Sequence, residues 1–256
     1  MNWKLRGQVG MAVRIQGSRV LVTGAGRGLG RVLAETLVAR GAGVVYGGAR
    51  DPSAVTWPGV TPVRLDITDA EQVAAAAKIC ADVDIVINNA GVMRFLPLLA
   101  APDTAAAREE MEVNYFGTLA MCRAFAPVLA ANCGGALVNI LSIVAWFANP
   151  LNGSYSASKS AAWALTNAAR IELRHQGTLV TGVFAGVIDT EMGQAFAHLP
   201  KVEPQSVADQ VLDGIEAGAE EVLCDDRTRR VKSVLPHDLT EIYPLHQAIW
   251  DKRQVS

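Results

Sequence analysis

Tyr155 and Lys159 are the residues whose types and spacing first suggest chemistry. They stand four apart in Gly153-Ser154-Tyr155-Ser156-Ala157-Ser158-Lys159, and an alanine-rich run, Ser160-Ala161-Ala162-Trp163-Ala164-Leu165, follows directly. The run reads as a helix, and on a helix that spacing puts both side chains on one face, roughly 5–6 Å apart at Cβ. A phenol titrates near pH ~10, and an ammonium held close favours the phenolate and lowers that value. Such a tyrosine could exchange a proton with a carbonyl or an alcohol near neutral pH. A surface tyrosine and lysine that happen to be helical neighbours share the spacing, so the rest of the chain decides the weight of the pair.

The elements that must position the pair follow from the apolar pattern. Arg19–Val22 is a short apolar strand running into Thr23-Gly24-Ala25-Gly26-Arg27-Gly28-Leu29-Gly30. Val32, Leu33, Leu37 and Val38 then carry helical spacing, with Gly41 where a helix C-cap belongs. Further strands are predicted at Val44–Tyr46, Val60–Asp66, Asp84–Ile87, Gly135–Ile140, Leu179–Phe184 and Glu221–Cys224. Helices are predicted from an Asp69 cap to about Cys80, over roughly Ala107–Ala131, after Tyr155, and near Ser206–Ala217. Strands alternating with helices, several of them apolar throughout, predict an α/β architecture. The expected fold is a doubly wound Rossmann-type, mostly parallel seven-stranded sheet with helices on both faces and ligands at the strands' C-terminal ends. Residues 1–16 read as a loose N-terminal extension, in which Met11 is an alternative start, and 17–256 as one domain with a substrate lid at about 190–200.

Composition removes several function classes. Half of the 256 residues are hydrophobic, which predicts a large core, and a net charge of −2 gives no basic footprint for nucleic acid or an anionic membrane. No apolar run is long enough to span a bilayer, and the first residues lack the apolar core of a signal peptide. Cys80, Cys122, Cys133 and Cys224 are scattered, as reduced and buried thiols of a cytoplasmic protein are. His175, His198, His237 and His246 show no metal-ligand spacing, so no metal site is expected.

A glycine-rich turn between the first strand and the first helix lets backbone N–H groups and a helix N-terminus face a pyrophosphate. Gly24, Gly28 and Gly30 fit that need, and Gly26 adds a fourth glycine. The GxGxxG pattern is not met, because Leu29 and Arg31 fall where its third glycine belongs. The spacing present is TGxxxGxG. With Asn88-Asn89-Ala90-Gly91, Asn114, Ser142 and Tyr155-x-x-x-Lys159 in that order, the chain resembles the short-chain dehydrogenase/reductase family from roughly Arg19 to Cys224.

The resemblance implies an NAD(P)(H)-dependent oxidoreductase acting on an alcohol or carbonyl. It implies Tyr155 as general acid in reduction and general base in oxidation. Lys159 would tune the tyrosine and hold the nicotinamide ribose, Ser142 would position the substrate oxygen, and Asn114 would hold a water linking Lys159 to solvent. The same resemblance puts Leu29 with the glycines at the pyrophosphate, Asp66 and Ile67 at the adenine, Asn89, Ala90 and Gly91 at the adenosine ribose, and Ile188 and Thr190 at the nicotinamide. Ala185 stands where the family usually has proline; losing that fixed φ predicts a somewhat looser loop.

At the end of the second strand an acidic residue would bind a ribose 2′-OH, whereas an arginine would accept a 2′-phosphate. Ala49 takes the acidic position and Arg50 follows it; with Arg27 before Gly28, two guanidiniums favour NADP(H) over NAD(H). Asp51, one residue on, is the alternative ribose acceptor. For the substrate, Met93, Val144, Phe147, Leu151 and Phe196 predict a hydrophobic ketone or aldehyde and its alcohol. The alanine-rich helices around 120–131 and 157–169 suit packing in a homo-oligomer, a dimer or tetramer. The alternative function is a non-catalytic NADP(H)-binding regulator on the same fold.

Overall fold

A computed structural model describes residues 12–196 and 198–254 of the protein. Seven strands form one parallel sheet: β1 (Arg19–Thr23), β2 (Val44–Ala49), β3 (Val60–Arg64), β4 (Ile85–Asn88), β5 (Gly135–Ile140), β6 (Thr178–Phe184) and β7 (Glu221–Leu223). Their order is β3-β2-β1-β4-β5-β6-β7, as a doubly wound sheet requires. Every residue of β4 and β6 is buried, which explains why these strands read as unbroken apolar or small-residue runs rather than alternating ones.

Each strand still sorts its side chains by the two-residue period of a pleat. Val20, Val22, Ile85, Ile87, Ala136 and Val138 point to one face and meet Leu33 and Leu37 of α1 (Gly28–Ala39) and Val207, Val211 and Leu212 of α6 (Pro204–Glu216). Leu21, Val86, Leu137 and Val180 point to the other. They meet Val73 and Ala76 of α2 (Ala70–Ile79), Met121, Phe125 and Leu129 of α4 (Thr118–Ala131) and Ala169 of α5 (Gly153–Leu173). Asp69 caps α2 as the sequence predicts, accepting from the Glu71 and Gln72 amides at 2.9 and 3.1 Å.

Four features depart from expectation. The single helix over 107–131 is instead α3 (Ala105–Met111), a π turn over Glu112–Gly117 and α4. Widened turns of this kind gather at functional positions, and this one holds Asn114. Residues 226–254, for which the strand-and-helix pattern made no provision, form α7 (Asp226–Val234), α8 (Asp238–Glu241) and α9 (Tyr243–Gln254). The chain is packed before residue 17: Ile15 is buried in the sheet's core and its amide donates to Glu216. The earlier part of the expected extension, residues 1–11, lies outside the described residues. Finally, Cys80, Cys122 and Cys224 are buried as expected but Cys133 is exposed, because it follows the end of α4 at a positive φ of 67°. All four are free thiols.

Among the described residues no helix is long and apolar enough to cross a membrane, and no group of three or more His, Cys, Asp or Glu side chains could hold a metal ion.

Candidate active site

The strand order reverses between β1 and β4, and the loops that leave their C-terminal ends meet there. Thr23 Oγ1, at the end of β1, accepts from the Asn89 and Ala90 amides at 3.0 Å each. Asn89 returns its side-chain amide to the Thr23 carbonyl at 2.9 Å. The two loops are thus one unit, and of the expected ribose residues Asn89 and Ala90 lie against Gly24, while Gly91 lies by Asn114 and Lys159. The approach is tight: a Cβ on Gly30 would stand 2.2 Å from the Gly24 carbonyl oxygen and 2.4 Å from Asn89 Nδ2. Gly24 and Gly28 have φ of +69° and +54°, which L side chains rarely adopt. The glycines therefore make a cradle of bare backbone at the N-terminus of α1, where an anion finds unpaired N–H groups.

The basic residues expected at the 2′-position flank that cradle. Arg27 precedes Gly28 and pairs with Glu191 at 2.7 Å, both side chains being about three-quarters exposed. Arg50 is exposed at the end of β2. Asp51, the alternative ribose acceptor, instead turns its carboxylate onto Ser53, accepting from the amide at 3.0 Å and the hydroxyl at 2.7 Å. Asp66 is likewise engaged in a local turn with Thr68. Ile67 is buried against Gly117 of the π turn, where a Cβ would come within 2.7 Å of it. Trp57, which sequence reasoning passed over, fastens the segment after β2 to the glycine loop by donating to the Ala25 carbonyl at 3.1 Å, with the Arg31 guanidinium 3.8 Å above its ring.

On the other side of the cleft, α5 carries Tyr155 and Lys159. Lys159 is buried and donates to the Ile140 carbonyl at 2.9 Å, at the end of β5. A Cβ on Gly91 would lie 3.1 Å from Asn114 Oδ1 and 3.6 Å from Lys159 Nζ, so these three residues converge. Asn114 is buried and fully used: its amide donates to the Val92 carbonyl and to Ser158 Oγ, and its oxygen accepts from the Val92 amide, each at 2.9 Å. Ser158 in turn donates to the Tyr155 carbonyl at 2.8 Å. The π turn is thereby fastened both to the loop after β4 and to the helix carrying Tyr155. Ser142 follows β5, caps the 3-10 turn Ile143–Ala145 by accepting from the Val144 amide at 3.4 Å, and acts electrostatically on the Tyr155 phenol.

Electrostatics differ from the expectation that Lys159 lowers the tyrosine. Burial pushes Tyr155 up to about 12, Ser142 pulling it down and the Glu110 charge pushing it up further. Burial alone takes Lys159 down to about 8. The lysine spends its hydrogen bond on Ile140, so burial outweighs any help it gives the phenolate. As placed, the tyrosine is a protonated hydroxyl able to donate.

The family model for short chain dehydrogenases matches residues 18–199. The chain belongs to the short-chain dehydrogenase family. Among solved structures, this dehydrogenase is similar to a short chain dehydrogenase from Burkholderia cenocepacia in complex with NADP, at 45% identity and a TM-score of 0.87 over 91% of this chain and 98% of that one. An uncharacterised oxidoreductase of Staphylococcus aureus is 33% identical over 75% of this chain and 88% of its own length. The short-chain dehydrogenase ptmH of Penicillium ochrochloron is 34% identical over 71% and 69%.

In this dehydrogenase the expected substrate residues form two groups. Val144 and Phe147 are buried in a cluster with Ile143 and Ile242, against which Tyr155, Val231, Val234, Leu235 and Tyr243 pack. Phe147 also lies 4.8 Å from the His246 ring of α9, so the C-terminal helices wall this side. Phe196, in the 3-10 turn Met192–Phe196 within the expected lid, meets Phe95 edge-on at 4.9 Å. Met93 is half-buried, its Sδ accepting from the Asn152 side-chain amide at 3.4 Å, and Leu151 sits half-buried in the turn before α5.

The loop of Ile188 and Thr190, which follows Ala185, is tethered at its start. The Gly186 amide donates to Asp225 at 2.8 Å, and the same carboxylate caps α7 by accepting from the Thr228 amide and hydroxyl. Asp225 thus ties the start of this loop to α7; an Asp ahead of a weakly apolar helix was its only signal in the sequence.

Proposed function

We propose that this dehydrogenase is an NADP(H)-dependent reductase that interconverts a mostly apolar ketone or aldehyde and its alcohol, with Tyr155 as general acid and base. The observation that carries the reading is the convergence of Tyr155, Ser142, Lys159 and Asn114 at the end of β5, across from the glycine cradle. The cradle fits a dinucleotide, since Gly24, Gly28 and Gly30 leave no Cβ in its path. Gly24, Arg27, Gly28, Leu29, Gly30 and Arg50 would hold the adenosine and phosphate end; Asp66, Ile67, Asn89, Ala90 and Gly91 would line it, and Lys159, Ile188 and Thr190 would hold the nicotinamide end.

The NADP complex of the Burkholderia cenocepacia relative supports the phosphorylated cofactor. So does Asp51, whose carboxylate is turned onto Ser53 while Arg27 and Arg50 flank the cradle. The nicotinamide, when bound, supplies or takes the hydride. The protein's share is to hold the substrate oxygen between the Ser142 and Tyr155 hydroxyls. Tyr155 Oη gives its proton to that oxygen as charge grows there, and takes it back in the reverse direction. Burial of Met93, Val144, Phe147, Leu151 and Phe196, in whole or part, suits an apolar substrate. The free thiols suit the cytoplasm, and Phe116 of the π turn and Ile171 near the end of α5, both exposed, suit a homo-oligomer.

The test is oxidation of NADPH by the purified protein across a panel of aromatic and aliphatic ketones and aldehydes. Turnover of apolar members with NADPH favoured over NADH is expected. Tight NADPH binding with no turnover across the panel would favour the regulator instead.

A further inference from the structure

The segment that leaves β2 lies directly on the glycine cradle. A Cβ on Gly26 would stand 3.9 Å from the Ala49 Cβ and 3.3 Å from the Ala54 Cβ. Trp57 fastens the same segment to the Ala25 carbonyl at 3.1 Å. Arg50-Asp51-Pro52-Ser53 is therefore bracketed by two residues that touch the cradle. Between 49 and 57, Arg50 is the only base and Asp51 the only acid. The two stand side by side with opposite preferences: the guanidinium suits a 2′-phosphate, and a free carboxylate would repel it and accept from a ribose hydroxyl instead.

Asp51 and Ser53 are both exposed, so packing does not decide where the carboxylate points. Hydrogen bonds do. Asp51 Oδ1 accepts from Ser53 Oγ at 2.7 Å and from the Ser53 amide at 3.0 Å, capping the 3-10 turn Pro52–Ala54. Pro52 stands between the acid and its partner, and its fixed φ stiffens the turn across which they meet. The Ser53 hydroxyl, and after it the Ser53 amide, hold the carboxyl below its ordinary value, so it stays charged at neutral pH. The guanidinium whose charge acts on it is Arg64, at the end of the edge strand β3, which also donates to the Arg50 carbonyl at 3.3 Å. A charged acid thus sits beside the cradle, occupied by its own turn.

We propose that Ser53 is a positioning residue for cofactor choice. Its hydroxyl keeps the Asp51 carboxylate in the turn and out of the cradle, so that a 2′-phosphate meets Arg27 and Arg50 without a competing anion. One turn carries both the arginine that suits NADPH and an acid that suits NADH, and the serine decides which of them faces the cofactor. This rests on the NADP(H) reading and names the residue that guards it.

The test is isothermal titration of NADPH and of NADH into the full chain. Five proteins are compared: wild type, Ser53→Ala, Ser53→Thr, Asp51→Asn and the double variant Ser53→Ala with Asp51→Asn. Ser53→Ala releases the carboxylate, so NADPH should weaken while NADH tightens. The ratio of their dissociation constants should move toward NADH about tenfold, near the lower worth of one hydrogen bond to a charged group. Ser53→Thr restores the hydroxyl and should keep the wild-type ratio. In the Asp51→Asn background the alanine should leave the ratio unchanged, because no charge remains to be released. A serine that merely stiffens the turn would weaken both cofactors together. That outcome, an unmoved ratio in Ser53→Ala, or the same shift without the Asp51 charge would each overturn the role of Ser53. A wild type that does not favour NADPH would count against the cofactor reading instead, and the difference between wild type and Ser53→Ala would still decide the serine.

Discussion

Lys159 Nζ stands 5.8 Å from the centre of the Tyr155 ring and gives its hydrogen bond to the Ile140 carbonyl at 2.9 Å. The pair shares a helix face, as its spacing requires, yet the ammonium is anchored to the end of β5 rather than to the phenol. A buried cation with this partner is held at a cost to the fold.

That cost sets a pH dependence of stability. Burial takes Lys159 from 10.5 to about 8. Between those values the unfolded chain carries a proton on this lysine that the folded chain has released, so stability rises with pH through that window. Below pH 8 the full cost of burying the ammonium is present. Urea unfolding of wild type and Lys159→Met, compared from pH 7 to 10, should show wild type gaining on the variant by up to about 3 kcal/mol. Parallel curves would show that burial does not shift this lysine.

The sequence and the structure agree best where one physical cause dominates. Strands β4, β5 and β6 are mostly apolar because they are covered on both faces, with Asn88 donating to Asn139 inside the sheet, and Asp69 caps α2 with a carboxylate that the Gln72 side chain also steadies. The convergence of Gly91, Asn114 and Lys159 agrees with the motif order, since the loop after β4, the π turn and the second turn of α5 meet beside the end of β5. The π turn did not show itself, because Glu112-Val113-Asn114-Tyr115-Phe116-Gly117 has ordinary helical composition and the widening answers to the tertiary bonds of Asn114. Nor did Glu110: on the chain it is one of two adjacent glutamates, and only packing buries the second while Glu109 pairs at the surface with Arg94. Helix α7 was hidden by its charge, for Asp226-Arg227-Thr228-Arg229-Arg230 offers little apolar periodicity.

Arg27 has two anions to choose between. Its pairing with Glu191 is exposed, and exposed pairs contribute roughly 0–1 kcal/mol. We expect Glu191→Gln to release the guanidinium for a 2′-phosphate and tighten NADPH by up to about fivefold, leaving NADH unchanged. Isothermal titration with both cofactors measures this; equal effects on NADPH and NADH would show that Arg27 does not attend the phosphate.

The proton role of Tyr155 is tested most directly by Tyr155→Phe, which removes one oxygen and keeps the ring in its cluster with Val144 and Phe147. NADPH affinity and melting temperature should stay close to wild type, while kcat for ketone reduction falls by at least about 100-fold, the lower bound for a positioned proton donor. A variant that binds NADPH normally and reduces ketones at the wild-type rate would contradict Tyr155 as the general acid.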